Sequence, residues 1–327
     1  MRNDKKQNGG NILDLITIGD ALITMNPQTN GPLRFVNTFE RKVGGAELNV
    51  AIGCSRLGLK TGWISRLGKD EFGRYITSYA RGEGIDTSQV ELVEGFPTSV
   101  YFKEIFNEER INSYYYRHNS PTNVFKVEDI DEEYVKNSKV VHISGVFPAL
   151  NDTNKDVVFQ LLKLAKKNNV VVTFDPNIRL KLWSTETAKT VLQSFLPFVD
   201  VLITGEEEAK LLLGSAYIEE LIELGKHYGI THIVLKRGEK GAIGYREGEI
   251  IDAPPVISTK IVDTIGAGDG FAAGYIYSLI NDWSLEKSLR FANAVAGYVI
   301  GVSGDNEGLP YLENVEVILG EKEQISR

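Results

Sequence analysis

Hydrophobic and polar positions along the chain fall into two rhythms. Short apolar runs bounded by Gly, Asp or Asn read as buried strands, and apolar residues recurring every three to four positions read as helices packed on one face. In chain order, ILDLITIG within residues 11–19 predicts a central strand. Ala46, Val50, Ala51, Cys54 and Leu57 predict a helix stopped at Gly58, followed by a strand over 61–66 and a helix over 70–81. The alternation resumes with strand 139–143, helix 152–167, strand 170–174, helix 184–195 and strand 201–204. Helices 206–213 and 218–227, strand 232–236, a hairpin over 241–251, a helix from about 268 and another over 285–300 follow, with a short helix expected in the charged segment from Leu312. Such alternation implies an α/β protein with a mostly parallel central sheet covered by helices on both faces.

Two stretches break that rhythm. Residues 22–42 run in short pieces (LITMNP, LRFVNTFER) around Pro27, Asn30, Gly31 and Pro32, and residues 98–125 contain SVYFKEIFN and INSYYYRHN flanking Glu108 to Arg110. Each reads as a β-ribbon projecting from the main sheet, and the two are expected to pair into a small β-sheet lid. One domain over residues 11–315, preceded by a polar tail of residues 1–10, accommodates everything.

Ligands of open parallel sheets sit beyond the carboxyl ends of the strands. Asp20, Asp175, Asn177, Arg179, Thr204, Glu207 and the segment from Lys236 to Lys240 fall at such ends. The stretch KIVDTIGAGDGFAAGYIYSLI, 260–280, reaches the same rim. Phe271, Ala272, Tyr275, Ile276, Leu279 and Ile280 form a helical stripe, and Gly266, Ala267 and Gly268 are its approach, where unpaired amides attract phosphate. Asp269 beside them makes sense if it faces the group that attacks phosphorus. A tight turn with glycines at positive φ and a capping Asp accounts for the same residues equally well. A second diglycine, Gly44 and Gly45, precedes the helix carrying Glu47 and Asn49, where an amide side chain suits a polyol; a helix-entry turn with a surface Asn is the plainer account.

Composition narrows the field. The net charge of −8 without a basic cluster argues against nucleic acid or an anionic membrane as partner. No run approaches eighteen apolar residues and the first ten are polar, so a soluble, cytoplasmic protein is expected. The single cysteine, Cys54, lies on an apolar helical face and reads as a buried thiol. His118, His142, His227 and His232 lack metal-ligand spacing. No G-x-x-x-x-G-K-[ST] occurs, and the G-x-G at 266–268 lacks the third glycine of a dinucleotide fingerprint, which leaves a nicotinamide dehydrogenase a minor alternative.

Two long segments, GGAELNVAIGCSRLGLKTGWISRLGKDEFG (44–73) and DTIGAGDGFAAGYIYSLI (263–280), resemble the two signatures of the ribokinase/PfkB carbohydrate kinases. Order, separation and the intervening VVTFDPNIR agree, and the resemblance covers residues 13 to about 310. It implies a ribokinase-like α/β/α sandwich with a β-lid, ATP with Mg²⁺, and transfer of the γ-phosphate to a sugar hydroxyl. By resemblance, Asp269 is the catalytic base and the amides of Gly266, Ala267 and Gly268 are the anion hole. Asn177, Lys236, Gly238, Lys240, Gly241 and Asn293 would meet the nucleotide, although lysines around a hairpin turn are usually solvated. The family's Asn-x-x-Glu pair for Mg²⁺ would fall on Thr204 and Glu207, with Thr replacing Asn. Asp263 and Thr264 could contribute to a monovalent-cation (K⁺) site.

The lid suggests the sugar. Tyr101, Tyr115 and Arg117 lie along β segments, with Tyr115 and Arg117 on one face, and Arg179 sits past a strand end. Guanidinium groups near one pocket suit a carboxylate better than a neutral sugar, while ATP phosphates or a surface acid could occupy either arginine instead. Within the family these features are most similar to kinases of 2-keto-3-deoxygluconate, a sugar acid, in which residues matching Gly44, Tyr101, Tyr115, Arg117 and Arg179 surround the substrate; Asp20, Gly45 and Asn49 join that set. Fructokinases are the nearest rival, and a catalytically silent sugar-binding protein on the same fold is the alternative of another class. The lid's open β face makes a homodimer or larger homo-oligomer through it an expectation as well.

Overall fold

The computed structural model describes residues 12–107, 110–257 and 260–323, so the polar tail 1–10 and the turn at 108–109 lie outside the described residues. β1 (Leu13–Ile18) gives way at Gly19 and Asp20 to β2 (Leu22–Pro27), which returns as β3 (Phe39–Gly44) into α1 (Ala46–Arg56). β4 (Thr61–Gly68), α2 (Glu71–Gly82) and β5 (Val90–Val93) lead to the hairpin of β6 (Val100–Asn107) and β7 (Arg110–Tyr116). The second half runs α3 (Glu132–Lys136), β8 (Ser138–Ser144), α4 (Asp152–Lys167), β9 (Val171–Asp175), α5 (Thr185–Phe195), β10 (Val201–Gly205), α6 (Glu206–Leu213) and α7 (Ile218–Tyr228). It ends with β11 (His232–Lys236), β12 (Ala242–Arg246), β13 (Glu249–Ala253), α8 (Ala267–Ile280), α9 (Leu285–Val299) and α10 (Leu312–Ile318). Side-chain caps set several helix starts: Asp70, Asn151, Ser184 and Ser284 each accept an amide from the first turn of the helix that follows.

Among the described residues the main sheet has nine strands in the order β13-β12-β11-β10-β9-β8-β1-β4-β5, parallel from β11 to β5 and antiparallel beyond β11. The chain starts in the middle, winds out through β4 and β5, then returns to β8 and proceeds the other way. The crevice beyond the ends of β1 and β8 is therefore where the winding reverses, and such a point leaves room for a ligand. One face is covered by the apolar sides of α4, α5, α6 and α7, the other by α1, α8 and α9.

The expected small sheet forms from the two excursions. Its order is β3-β2-β6-β7, with β2 pairing β6 in parallel and antiparallel hairpins on either side. Because β2 leaves β1 within four residues and β3 enters α1 directly, this sheet stands over the carboxyl rim.

Three expectations differ from the structure. β5 and α3 were not foreseen: VELV is a half-exposed edge strand interrupted by a charge, and EEYVK is too short to show a helical period. The third concerns α8. Its expected apolar stripe is instead burial on nearly every side, including Gly270, Phe271, Ala272, Ala273, Gly274, Tyr275, Ile276 and Ser278. Glycine and alanine let α1 and α9 close on it, so α8 is a central helix of its layer.

Candidate active site

The N-terminus of α8 opens on the rim. Gly266 is its N-cap at φ 78°, and a side chain there would also collide with the backbone carbonyl of Asp305, so both conformation and approach require glycine. Of the three amides expected to form the phosphate hole, that of Ala267 donates to Thr264 O at 3.3 Å. The hole is thus narrower than expected at Ala267, because the chain tightens into a turn before the helix starts. Gly268 keeps its amide in the first helical turn, where no intrahelical acceptor exists. Lys236, at the end of β11, closes the other side: its Nζ would stand 3.7 Å from a Cβ built on Gly268. That ammonium pairs with Asp175 Oδ2 at 2.5 Å. Burial opposes its charge, but Asp175, Glu208 and Asp269 together hold its pKa above the ordinary lysine value.

Asp269 lies in the first turn of α8 and keeps part of its surface open. Its Oδ2 accepts a hydrogen bond from Asn49 Nδ2 at 2.8 Å. Withdrawal from water pushes its carboxyl up to about 7, helped by the charge of Asp175 and opposed by the Asn49 bond, Arg179 and Lys236. A carboxyl with that value changes protonation state at neutral pH, as a general base must. Asn49, expected to meet a polyol, has its amide nitrogen committed to Asp269 and its oxygen accepting from Asn306 Nδ2 at 3.3 Å.

On the lid side, Asp20 is buried at the end of β1 and pairs with Arg117 Nη2 at 3.0 Å. Burial raises the Asp20 carboxyl although Arg117 works against it. Among the described residues, buried Asp20 Oδ1 and Arg117 Nε have no protein hydrogen-bond partner, the kind of orphaned atoms that a ligand's polar groups satisfy. Tyr101 and Tyr115 are cross-strand partners with rings stacked at 5.0 Å, and the Arg117 guanidinium lies 5.6 Å from the Tyr115 centroid. Tyr115 and Arg117 therefore do lie together. Gly44 and Gly45 pass beneath: a Cβ on Gly44 would strike the Asp305 carboxylate, and one on Gly45 would lie 2.6 Å from Asp20 O. Arg179 is exposed beyond β9, near enough to Asp269 to favour its charged form.

The nucleotide and metal candidates are less uniformly gathered. Asn177 sits in a left-handed conformation at φ 36°, its amide bonded to Asp175 Oδ1 at 3.2 Å. Gly238 and Lys240 are exposed in the turn after β11, and Gly241, which closes it, is buried against the backbone of Ala253 and Pro254. Asn293 uses its amide nitrogen to tie α9 to Ala253 O and Pro254 O, at 3.2 and 2.9 Å. Glu207, in the first turn of α6 after β10, turns its side chain to solvent. Its side chain is 86% exposed and pairs with Lys210, whereas the neighbouring Glu208 turns inward and accepts from Ile178 N and Gly205 N at 3.0 and 2.9 Å. Thr204 is fully buried, its hydroxyl bonded to Gly205 O. Among the described residues no cluster of three or more His, Cys, Asp or Glu is arranged to hold a metal ion.

Glu47, named above without a role, and Lys103 and Asp305, not foreseen, also belong to the surroundings of the site. Glu47 is 1% exposed and meets Ser144 and Phe147; Lys103 is buried on the Tyr101 face of β6, 3.7 Å from Asp305 Oδ1. The available signal for Asp305 was the acidic GDNEG loop bracketed by glycines; Lys103 had only its two-residue spacing from Tyr101.

A helix start open on the rim, a carboxylate beside it and a second sheet above agree with the class that comparison with known proteins shows, a carbohydrate phosphotransferase. The chain belongs to the pfkB family of carbohydrate kinases, whose sequence model matches residues 13–312. It is 33% identical over 314 residues to the 2-dehydro-3-deoxygluconokinase of Thermoproteus tenax, covering 94% of each chain. It is 32% identical over 320 residues to the 5-dehydro-2-deoxygluconokinase of Halalkalibacterium halodurans, covering 96% of each. The crystal structure of 2-dehydro-3-deoxygluconokinase from Thermotoga maritima is similar with a TM-score of 0.86 and 26% identity, over 94% of this chain and 98% of that one.

Proposed function

We propose that the protein transfers the γ-phosphate of ATP to a hydroxyl of 2-keto-3-deoxygluconate. The observation that carries this reading is Asp269, a carboxylate poised near neutrality beside the amide of Gly268 and the ammonium of Lys236. The sugar hydroxyl lies against Asp269 and the γ-phosphate against the start of α8. As the sugar oxygen forms its bond to phosphorus, the bond to the bridging oxygen of ADP breaks, and Asp269 takes the hydroxyl proton. Amides and Lys236 oppose the charge on the equatorial oxygens, which is most of what catalysis of this transfer needs. Mg²⁺ fits the rim as an ion carried by the nucleotide, since Asp175 and Glu208 are the inward carboxylates there and Mg²⁺ is commonly bound by one or two carboxylates plus phosphates. When bound, it would neutralise the transferring phosphate.

For the acceptor, Asp20 offers an orphaned oxygen to a hydroxyl, the Tyr101 and Tyr115 rings offer a flat wall, and Arg117 and Arg179 supply positive charge. Both named relatives take their names from deoxy keto sugar acids, so a carboxylate on the acceptor agrees with these cations. The test is ADP release with 2-keto-3-deoxygluconate, 5-keto-2-deoxygluconate, fructose, ribose and adenosine compared directly. The highest kcat/KM is expected for 2-keto-3-deoxygluconate. A preference for fructose would reject the sugar-acid assignment, and no ADP release with any acceptor would reject the kinase reading.

A further inference from the structure

Glu47 is a carboxyl group buried in the middle of the site that the proposed transfer does not use. It sits in the first turn of α1, two residues after the N-cap Gly45. Its Oε1 is held from the far side of the crevice by Ser144 Oγ at 2.5 Å and by the backbone amide of Phe147 at 3.2 Å. Gly19, between β1 and Asp20, leaves the space for it, since a Cβ on Gly19 would collide with Oε2. The carboxyl thus bridges the ends of β1 and β8, where the winding of the sheet reverses. Two residues on, the same helical turn delivers Asn49 to Asp269.

We propose that Glu47 is a positioning residue for phosphoryl transfer: by fastening the first turn of α1 to the end of β8, it fixes Asn49 against Asp269 and sets the orientation of the carboxylate that meets the acceptor hydroxyl. The inference rests on the reading of Asp269 as the base. An ordinary buried hydrogen bond would only steady the fold. The link through Asn49 instead predicts a change in the chemical step, because the reacting groups must be held to a fraction of an ångström and a 1 Å displacement costs about 10²-fold. Glu47 and Asp269 also face each other electrostatically, the charge of Asp269 raising the Glu47 carboxyl. The charged groups facing Asp269 include Asp175 from β9, Arg179 from the turn after it, Lys236 from β11 and Glu47 from α1, which itself feels Asp269. Two carboxyls that interact in this way lose their protons in coupled steps.

The experiment is steady-state kinetics of Glu47→Ala, Glu47→Gln and Ser144→Ala, with Asp269→Asn as reference, each with ATP varied at saturating acceptor and from pH 5.5 to 9. Glu47→Ala is expected to lower kcat about 10²-fold with KM for ATP within about twofold. Glu47→Gln keeps the size and an acceptor oxygen, so it should restore most of that loss. It should also move the acid limb of the kcat profile to lower pH, because Asp269 then ionises without a neighbouring carboxylate. Ser144→Ala, which keeps the acid and one of its two bonds, should fall between. A kcat for folded Glu47→Ala equal to wild type, or an acid limb unmoved in Glu47→Gln, would overturn the proposal. Full turnover in Asp269→Asn would instead remove the base on which it rests.

Discussion

A carboxylate takes a hydroxyl proton only in its ionised form, and Asp269 passes into that form around neutral pH. Its carboxyl is raised to about 7 by desolvation, so the deprotonated fraction grows as pH rises through that value. The acid limb of kcat/KM should therefore bend near pH 7 rather than near 4, and a pH–rate profile measures it directly. Asp269→Asn should lower turnover about 10²–10⁴-fold while leaving ATP binding intact, as isothermal titration with ATP would report. Arg117 requires more care. Its guanidinium is joined to buried Asp20, so Arg117→Ala would strand a buried carboxylate and cost about 3–5 kcal/mol in stability. Arg117→Lys keeps the charge and loses the fork. It should raise KM several-fold for the keto acid and little for fructose, and an equal rise for both would remove Arg117 from carboxylate recognition.

Elements were legible where local chemistry decides them. The alternation of strands and helices places α4 at 152–167 from sequence alone, and β11 follows from its apolar run. Side-chain direction within a run of like residues was not legible. Glu206, Glu207 and Glu208 all open α6, and only the packing of that helix decides that Glu208 faces the rim while Glu207 faces water. Glu47 drew no role from the sequence for a related reason, because a glutamate in a first helical turn ordinarily serves the helix dipole in solvent. Its burial depends on β8, about a hundred residues away. The start of α8 offers a test at this scale. Gly266→Ala must place a side chain in a left-handed conformation, which costs about 1–2 kcal/mol, and against the Asp305 carbonyl as well. A lower melting temperature is expected together with a rise in KM for ATP, since the helix start that would face the phosphate would shift. A stable variant with unchanged KM would show that this turn is not under that constraint.

At the scale of the molecule, the sheet-and-helix alternation foretold layers, and the two interruptions foretold a second sheet, yet strand order came only from the structure. That order matters because it puts the buried carboxyls together at one crevice, where their protonation is tied to folding. Glu47 is raised from an ordinary 4.5 to about 7, first by desolvation and partly by Asp269, against its bonds to Ser144 and Phe147. Between those values the folded chain holds a proton that the unfolded chain has released. Stability from this group is therefore full below about pH 4.5 and is lost as pH rises through about 7. Asp269 acts in the same direction from 3.8 to about 7. Asp14 and Asp70 act in the opposite sense, since their folded values are lowered by hydrogen bonds despite some burial, and their contribution is lost on acidification. The sum predicts a melting temperature that falls from pH 5 to pH 8 as the crevice carboxyls ionise. Glu47→Gln removes one of these ionisations while keeping the side chain's size. Its melting temperature should vary less over that interval, with a smaller deficit or a gain relative to wild type at pH 8. Parallel curves for the two proteins in calorimetry would mean that Glu47 is already ionised in the folded chain, and that the crevice holds its charge at no cost to stability.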